Sequence, residues 1–344
     1  MLMQAPYNPD APGQLNNRIF GLPFSCEEAS LVLIPVPWEV TTSYKRGTAN
    51  GPDAILNASP QLDLYDITFG PVWKKGIALE KKNVSWIKLN NKLSKKSKKV
   101  IDFLEKGGDA KNSKVIQALL KEINASCDDL NKQIKKQCLS WLNKNKKVGI
   151  IGGEHSVPLG FLQALSEKHT SFGILQIDAH ADLRQGYEGF VFSHASIMYN
   201  AIQIPNVHKL VQVGIRDICQ EEINRINDSK NRIKLFSDTE LKSRSYKGET
   251  WDFICDDIIA SLPQKVYISF DIDGLNPVYC PGTGTPVPGG LEIQEAFYLV
   301  EKLAESGREI IGFDLCEVSP GKDDWDGNVG ARVVYKLAGA IVGR

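Results

Sequence analysis

Net charge is the first thing missing: Lys plus Arg and Asp plus Glu both number 41 in 344 residues. No global field therefore draws the chain to nucleic acid or to an anionic membrane, and a small partner fits better. Cysteine is sparse and irregular, seven residues with no CxxC pair, which excludes a disulfide framework and fits a reducing cytoplasm. No stretch approaches the roughly 18 apolar residues of a membrane span. The N-terminus, MLMQAPYNPDAPGQ, has no basic segment followed by an apolar core, so it does not read as a signal peptide. Internal repeats and long low-complexity tracts are also missing, which favours a single domain. Histidine is scarce, five in all, so where it falls carries weight.

What is present is a cadence. With 42% hydrophobic residues the chain can bury a sizeable core. Short apolar segments at 30–35, 148–151, 173–177, 209–213, 232–236, 265–270 and 309–315 read as strands. Helical stretches at 159–168, 221–228, 250–261, 291–306 and 329–342 fall between and after them, and Pro52 opens another after the first strand. Continuous apolar strands alternating with amphipathic helices predict an α/β domain, a parallel sheet with helices on both faces in three αβα layers. Residues 1–29, with Pro6, Pro9, Pro12 and Pro23, read as an irregular N-terminal arm lying on a neighbour or over the edge of a site. Residues 112–147 read as one long helix or a broken pair. Between about 68 and 111 the pattern weakens into Lys-rich text, KKNVSWIKLNNKLSKKSKKV at its centre, which reads as a solvated surface excursion.

In such sheets the site lies beyond the carboxyl ends of the strands, and there the chain gathers histidine and carboxylate. Residues 175–184, LQIDAHADLR, close an apolar run in Asp178, His180 and Asp182. Alternate side chains of an extended chain point the same way, so the three converge if the chain stays extended. An Asp-rich turn accounts for a lone Asp-x-His, but the pattern recurs. GGEHS follows VGII and brings His155, DID follows VYISF and brings Asp271 and Asp273, and Glu317 follows IIGFDL. Two histidines and four aspartates are too many ligands for one tetrahedral ion, and four clustered carboxylates without cations resist ionisation. Two divalent ions resolve the repulsion and activate water near neutral pH. Imidazole with carboxylate suits Mn²⁺, Zn²⁺, Ni²⁺ or Fe²⁺ rather than Ca²⁺ or Mg²⁺.

In this order and each after a strand, GGEHS, DAHAD and SFDIDGLNP resemble the signature segments of the ureohydrolases, the arginase and agmatinase family. GTANGPDAI and GFDLCEVSP extend the likeness from about residue 30 to the C-terminus, leaving the arm and the Lys-rich stretch outside. The resemblance implies an arginase-like domain over 30–344 with two Mn²⁺ per chain, Ni²⁺ being the alternative. It implies Asp178 and Asp271 as bridging ligands, His155 and Asp182 completing one metal's shell, and His180 and Asp273 the other's. Glu317 would pair with a guanidinium, Asp182 would pass a proton to the leaving amine, and His194 in FSHAS would relay protons near its natural pKa. The implied reaction is hydrolysis of a small guanidino compound to urea and an amine in the cytoplasm, by a homo-oligomer, a trimer or hexamer. Agmatine, giving putrescine, leads; guanidinobutyrate, guanidine, arginine and formiminoglutamate are alternatives.

The chain departs from the family pattern where Ala195 follows His194, a place commonly held by glycine. Residues 185–193 lack the asparagine-bearing segment that holds the α-amino acid end of arginine, and Glu154 in GGEHS is more agmatinase-like. Trp38, Tyr187 and Trp325 are candidates to line a pocket, while His169 and His208, outside any motif, read as surface or packing residues. A single-metal amide deacetylase and a non-catalytic metabolite-binding protein on the same scaffold remain the competing readings.

Overall fold

The computed structural model describes residues 7–343, so the first six residues of the expected arm lie outside the described residues. Alternation along the strands decides the architecture. In strand β1 (Leu31–Val36) every residue is buried, yet Leu31 and Leu33 join one apolar cluster while Val32, Ile34 and Val36 join another. Successive strand side chains point to opposite faces, so a strand apolar at every position belongs in a middle layer covered on both sides.

Seven more strands share that layer: β2 (Ile77–Leu79), β3 (Lys147–Gly152), β4 (Phe172–Ile177), β5 (Val207–Ile215), β6 (Ile233–Ser237), β7 (Lys265–Asp271) and β8 (Glu309–Cys316). All pairings are parallel, in the order β2-β1-β3-β8-β7-β4-β5-β6. Helices α2 (Val84–Glu105), α3 (Lys114–Leu142), α4 (Leu159–Lys168) and α5 (Ile197–Ile202) bury their apolar residues on one face of the sheet. Helices α1 (Gly51–Ala58), α7 (Asp238–Tyr246), α8 (Trp251–Ala260), α9 (Ile293–Glu305) and α10 (Trp325–Val342) do so on the other. Helix α6 (Gln220–Asp228) lies between β5 and β6 in sequence. This is the three-layer αβα domain expected from the sequence. Among the described residues no helix is long and apolar enough to cross a membrane.

Strands β3 and β4 are consecutive in sequence but separated in the sheet by β8 and β7. Their following loops therefore diverge, and a crevice opens at the carboxyl ends of the four central strands, where ligands bind in sheets of this kind.

Several elements differ from the sequence expectation. The Lys-rich stretch is not a loose excursion but the 22-residue helix α2, with Trp86, Asn90, Leu93, Ser97, Val100 and Ile101 forming its buried stripe. Two of those six positions are polar, and that breaks the apolar period a sequence reading relies on. Strand β2 escapes because three residues are too few to show a pattern, and α7 because only Leu241 is buried in it. Residues 112–147 contain one unbroken helix, α3. The described part of the arm packs on its own chain: the Phe20 ring meets Tyr335 edge-on at 5.0 Å, and the Phe20 N–H donates to Ser59 Oγ at 2.8 Å.

Candidate metal centre and active site

Strand β4 ends at Ile177, and the next residues deliver Asp178 and His180. The DIDG turn after β7 lies directly against them, because Gly274 has no side chain; a Cβ there would sit 2.6 Å from the Asp178 nitrogen. From β3, His155 enters the same space. Its Nδ1 stands 3.0 Å from Asp178, 3.0 Å from Asp182 and 3.3 Å from Asp271. The Nδ1 of His180 stands 3.1 Å from Asp273 and 3.7 Å from Asp178. Two groups with metal-ligand spacing result, His155 with Asp178 and Asp271, and Asp178 with His180 and Asp273. Asp178 is common to both, whereas Asp271 falls in the His155 group only.

These residues fit a pair of divalent cations. Three carboxylates crowd His155 Nδ1, and among the described residues that buried nitrogen has no hydrogen-bond partner of good geometry, an arrangement that suits a ligand nitrogen. Its other nitrogen meets Ser269 Oγ at 2.9 Å, which fixes the imidazole in the manner of an outer-shell partner. Buried together, these groups shift one another's protonation. Burial and the charge of Asp178 push Asp182 up to about 7, and burial with Asp273 and Asp178 pushes Asp271 well above its usual range. Desolvation opposes charge on His180, yet Asp273 and Asp178 outweigh it and push the imidazole up to about 12. His155 is driven up in the same way by Asp178 and Asp182, against its burial.

Backbone strain marks two of these positions. Asp182 has φ of 53° and Glu317 of 64°, a left-handed conformation that costs a non-glycine residue free energy and persists only where neighbours enforce it. At Asp182 they are Glu222, which accepts from the Leu183 N–H at 2.9 Å, and the Tyr199 N–H, which donates to the Asp182 carbonyl at 3.0 Å. At Glu317 the N–H donates to the Gly153 carbonyl at 2.8 Å, and the carbonyl accepts from Thr283 Oγ1 at 2.9 Å. The loop after β1 closes against the following residues because Gly47, at φ 140°, has no Cβ; one there would sit 2.3 Å from Ser319 Oγ.

Glu317 is buried, accepts from the His155 N–H through Oε1 at 2.8 Å, and lines the cavity above the cluster. His194 lines it too, with its N–H donating to Thr41 Oγ1 at 3.1 Å and its Nε2 at 3.4 Å from Ser43 Oγ. Burial and the nearby His180 push His194 down to about 4, not near its natural pKa as expected, so it is neutral at pH 7. Ala195 is accommodated in a short turn of helix, His194–Ser196, without positive φ.

Tyr187 lines the cavity, but Trp38 is wholly buried in the core, and Trp325 is a surface residue whose Nε1–H donates to the Val278 carbonyl at 3.1 Å. His169 and His208 meet Lys265 and Ser171 at the opposite ends of the strands. Three residues of the site were given no role from sequence. Arg216 donates to the carbonyls of Asp273 at 2.6 Å and Leu275 at 3.1 Å, stapling the DIDG turn. Asp217 lines the cavity mouth beside it. Both follow β5, so the strand-end rule carried one strand further would have found them. The Glu154 carboxylate accepts from the Thr41 N–H at 2.7 Å and Oγ1 at 2.9 Å, tying the β1 and β3 loops together.

Comparison with known proteins agrees with this geometry. A match to the arginase family runs over residues 29–341. The N(1)-aminopropylagmatine ureohydrolase of Synechocystis is 32% identical over 320 residues, 92% of this chain and 90% of that protein. The agmatinase of Bacillus subtilis is 27% identical over 314 residues, 90% of this chain and 91% of its own length. In structure, the proclavaminate amidino hydrolase of Streptomyces clavuligerus superposes with a TM-score of 0.71 at 22% identity, covering 97% of each chain. Binuclear His and Asp centres are a property of this family, and the likeness spans nearly the whole sequence: the chain belongs to the arginase family of hydrolases.

Proposed function

We propose that the chain hydrolyses a guanidino compound with a cationic aminoalkyl tail, agmatine or an N-substituted agmatine, to urea and the corresponding amine. The observation that carries this is the Glu317 carboxylate, buried beside the cluster with one oxygen held by the His155 N–H. Burial and the neighbouring Glu154 raise its pKa well above the carboxylate range, against the His155 hydrogen bond. A guanidinium is the partner that restores its charge, presenting a planar donor fork to the free oxygen.

Held by His155, Asp178, His180, Asp182, Asp271 and Asp273, two divalent cations, manganese in this proposal with nickel the alternative, would supply Lewis acidity and an acidified water. The chain's own groups do the rest. Glu317 orients the guanidinium carbon toward the cluster. As the water oxygen bonds to that carbon, Asp182 takes the proton, and it returns the proton to the departing nitrogen as the C–N bond breaks. Neutral His194, on the cavity wall, accepts and hands on protons at the outer side.

The tail points toward the mouth, where Asp217 stands with its side chain 68% exposed and 3.9 Å from His180 Nε2. A cationic tail pairs there. One observation favours a second reading: Arg184 lines the same cavity, stacked 4.9 Å over Tyr187 and with no carboxylate partner among the described residues, and an anionic tail such as that of guanidinobutyrate would pair with it. A urea-release screen over agmatine, aminopropylagmatine, guanidinobutyrate and arginine, after loading with Mn²⁺ or Ni²⁺, tests both. Release of urea from agmatine-type compounds is expected. No urea from any guanidino compound, or full activity at one ion per chain, overturns the proposal. We further propose a cytoplasmic homo-oligomer, testable by fractionation and by mass in solution.

A further inference from the structure

The two polar members of the buried stripe on α2 have partners outside the helices. Burying an amide or hydroxyl costs free energy unless it is hydrogen-bonded, and here the bonds run to the loop after β1. Asn90, 4% exposed, accepts from the Glu39 N–H at 2.8 Å. Ser97, fully buried, accepts from Arg46 Nη2 at 3.1 Å. The loop is then closed on itself: Arg46 Nη1 donates to the Glu39 carbonyl at 3.1 Å, and the Glu39 carboxylate accepts from the Gly47 N–H at 2.7 Å.

Helix α3 treats the other loop, residues 185–193, in the same way. The half-buried Asn124 uses both ends of its carboxamide, donating to the Gly189 carbonyl at 3.0 Å and accepting from the Val191 N–H at 2.9 Å. Gly189 permits the close approach, since a Cβ there would sit 2.8 Å from Leu120 of the same helix. The two loops meet over the cavity, where Ser43 of one faces His194 just after the other at 3.4 Å. None of the six cluster residues lies on either loop, whereas Ser43 and Tyr187 both line the cavity.

We infer that the α2–α3 hairpin sets the shape of the substrate mouth, with Asn90, Ser97 and above all Asn124 as positioning residues that fix the loops carrying Ser43 and Tyr187. Resting on the guanidino-hydrolase reading, this assigns tail selectivity to a hairpin remote from the chemistry. Because the guanidinium is gripped at Glu317, just after β8, loosening the loops changes how well the tail is held and leaves bond cleavage alone, which is the signature of lost uniform binding.

The test compares wild type with Asn124→Leu, which loses both bonds at similar volume, and with Asn124→Asp, which keeps the acceptor for the Val191 N–H. Steady-state urea release is measured over guanidines of increasing aminoalkyl tail length, and amide hydrogen exchange over residues 186–192. For Asn124→Leu, KM for the preferred long-tailed substrate rises about tenfold with kcat within about threefold. Discrimination between long and short tails narrows, exchange in the loop accelerates, and Asn124→Asp falls between. Should Asn124→Leu not fold, Ser97→Ala gives the same readout through the first loop. Unchanged discrimination in variants of an active wild type overturns this inference alone, as does a fall in kcat at constant KM. Wild type that releases no urea overturns the functional proposal and this inference with it.

Discussion

The main-chain N–H of His155 donates to Oε1 of Glu317 at 2.8 Å. Residue 155 presents its imidazole to the His/Asp cluster, and residue 317 presents its carboxylate to the cavity, so one hydrogen bond between two strand ends sets the distance between the proposed hydrolytic centre and the proposed substrate grip. Replacing Glu317 by Gln keeps an acceptor for that N–H but removes the charge. kcat/KM for the guanidino substrate is expected to fall about 100-fold or more, in keeping with loss of a charge-assisted pair at a reacting centre. Metal content should hold at the wild-type value, as measured by elemental analysis.

Asp178 is the one residue common to both ligand groups. Asp178→Asn is therefore expected to lower the content of both cations, not one, and to abolish urea release. Loss of a single ion with the second retained would assign the shared position elsewhere.

Loading with cations should release protons, because His155 and His180 both hold theirs far above the ordinary imidazole range in the metal-free site. Metal affinity accordingly rises with pH, which calorimetry in buffers of different ionisation enthalpy will show. The stability of the metal-free chain follows the same groups. The carboxyls of Asp182, Asp271, Glu317 and Glu154 are raised in the fold, so between about pH 4 and 7 the folded state binds more protons than the unfolded one. Their stabilisation is complete below the unfolded pKa values and is lost as pH rises through the folded ones. His194, lowered to about 4, works oppositely, as does Asp178, which despite its burial is lowered by its bonds to His155 and His180. Denaturant midpoints should fall from pH 4 to 7 in chelator and lose that trend with saturating metal.

Away from the site, Lys336 of α10 is pinned between Asp66 and Glu301, each at 2.6 Å, with the Phe69 and Phe297 rings at 5.5 and 5.4 Å. Only 11% of its side chain is exposed. Lys336→Ala leaves two poorly hydrated carboxylates facing each other and is expected to cost about 3 kcal/mol. A lowered Tm with unchanged kcat is the expected result; a change in kcat would place Lys336 in the catalytic path instead.

The sequence by itself determined the three-layer class and where the chemistry gathers. Apolar strands alternating with helices require a covered parallel sheet, and the ligand-type residues sit within a few positions of strand ends, where local order alone brings them to one edge. His155, Asp178, His180, Asp271 and Asp273 were legible for that reason. Tertiary structure decided what local pattern cannot carry. The strand order puts β3, β8, β7 and β4 side by side, which makes Asp178 the member shared by both groups and places Glu317 beside them. Burial, not residue type, takes His194 out of its natural titration range. The Lys-rich stretch misled because Asn90 and Ser97 break the apolar stripe of α2, and their partners, Glu39 and Arg46, are about 51 residues distant in sequence. A hydrogen bond across that separation leaves no period in the chain to read; it exists only once the fold has brought helix and loop together.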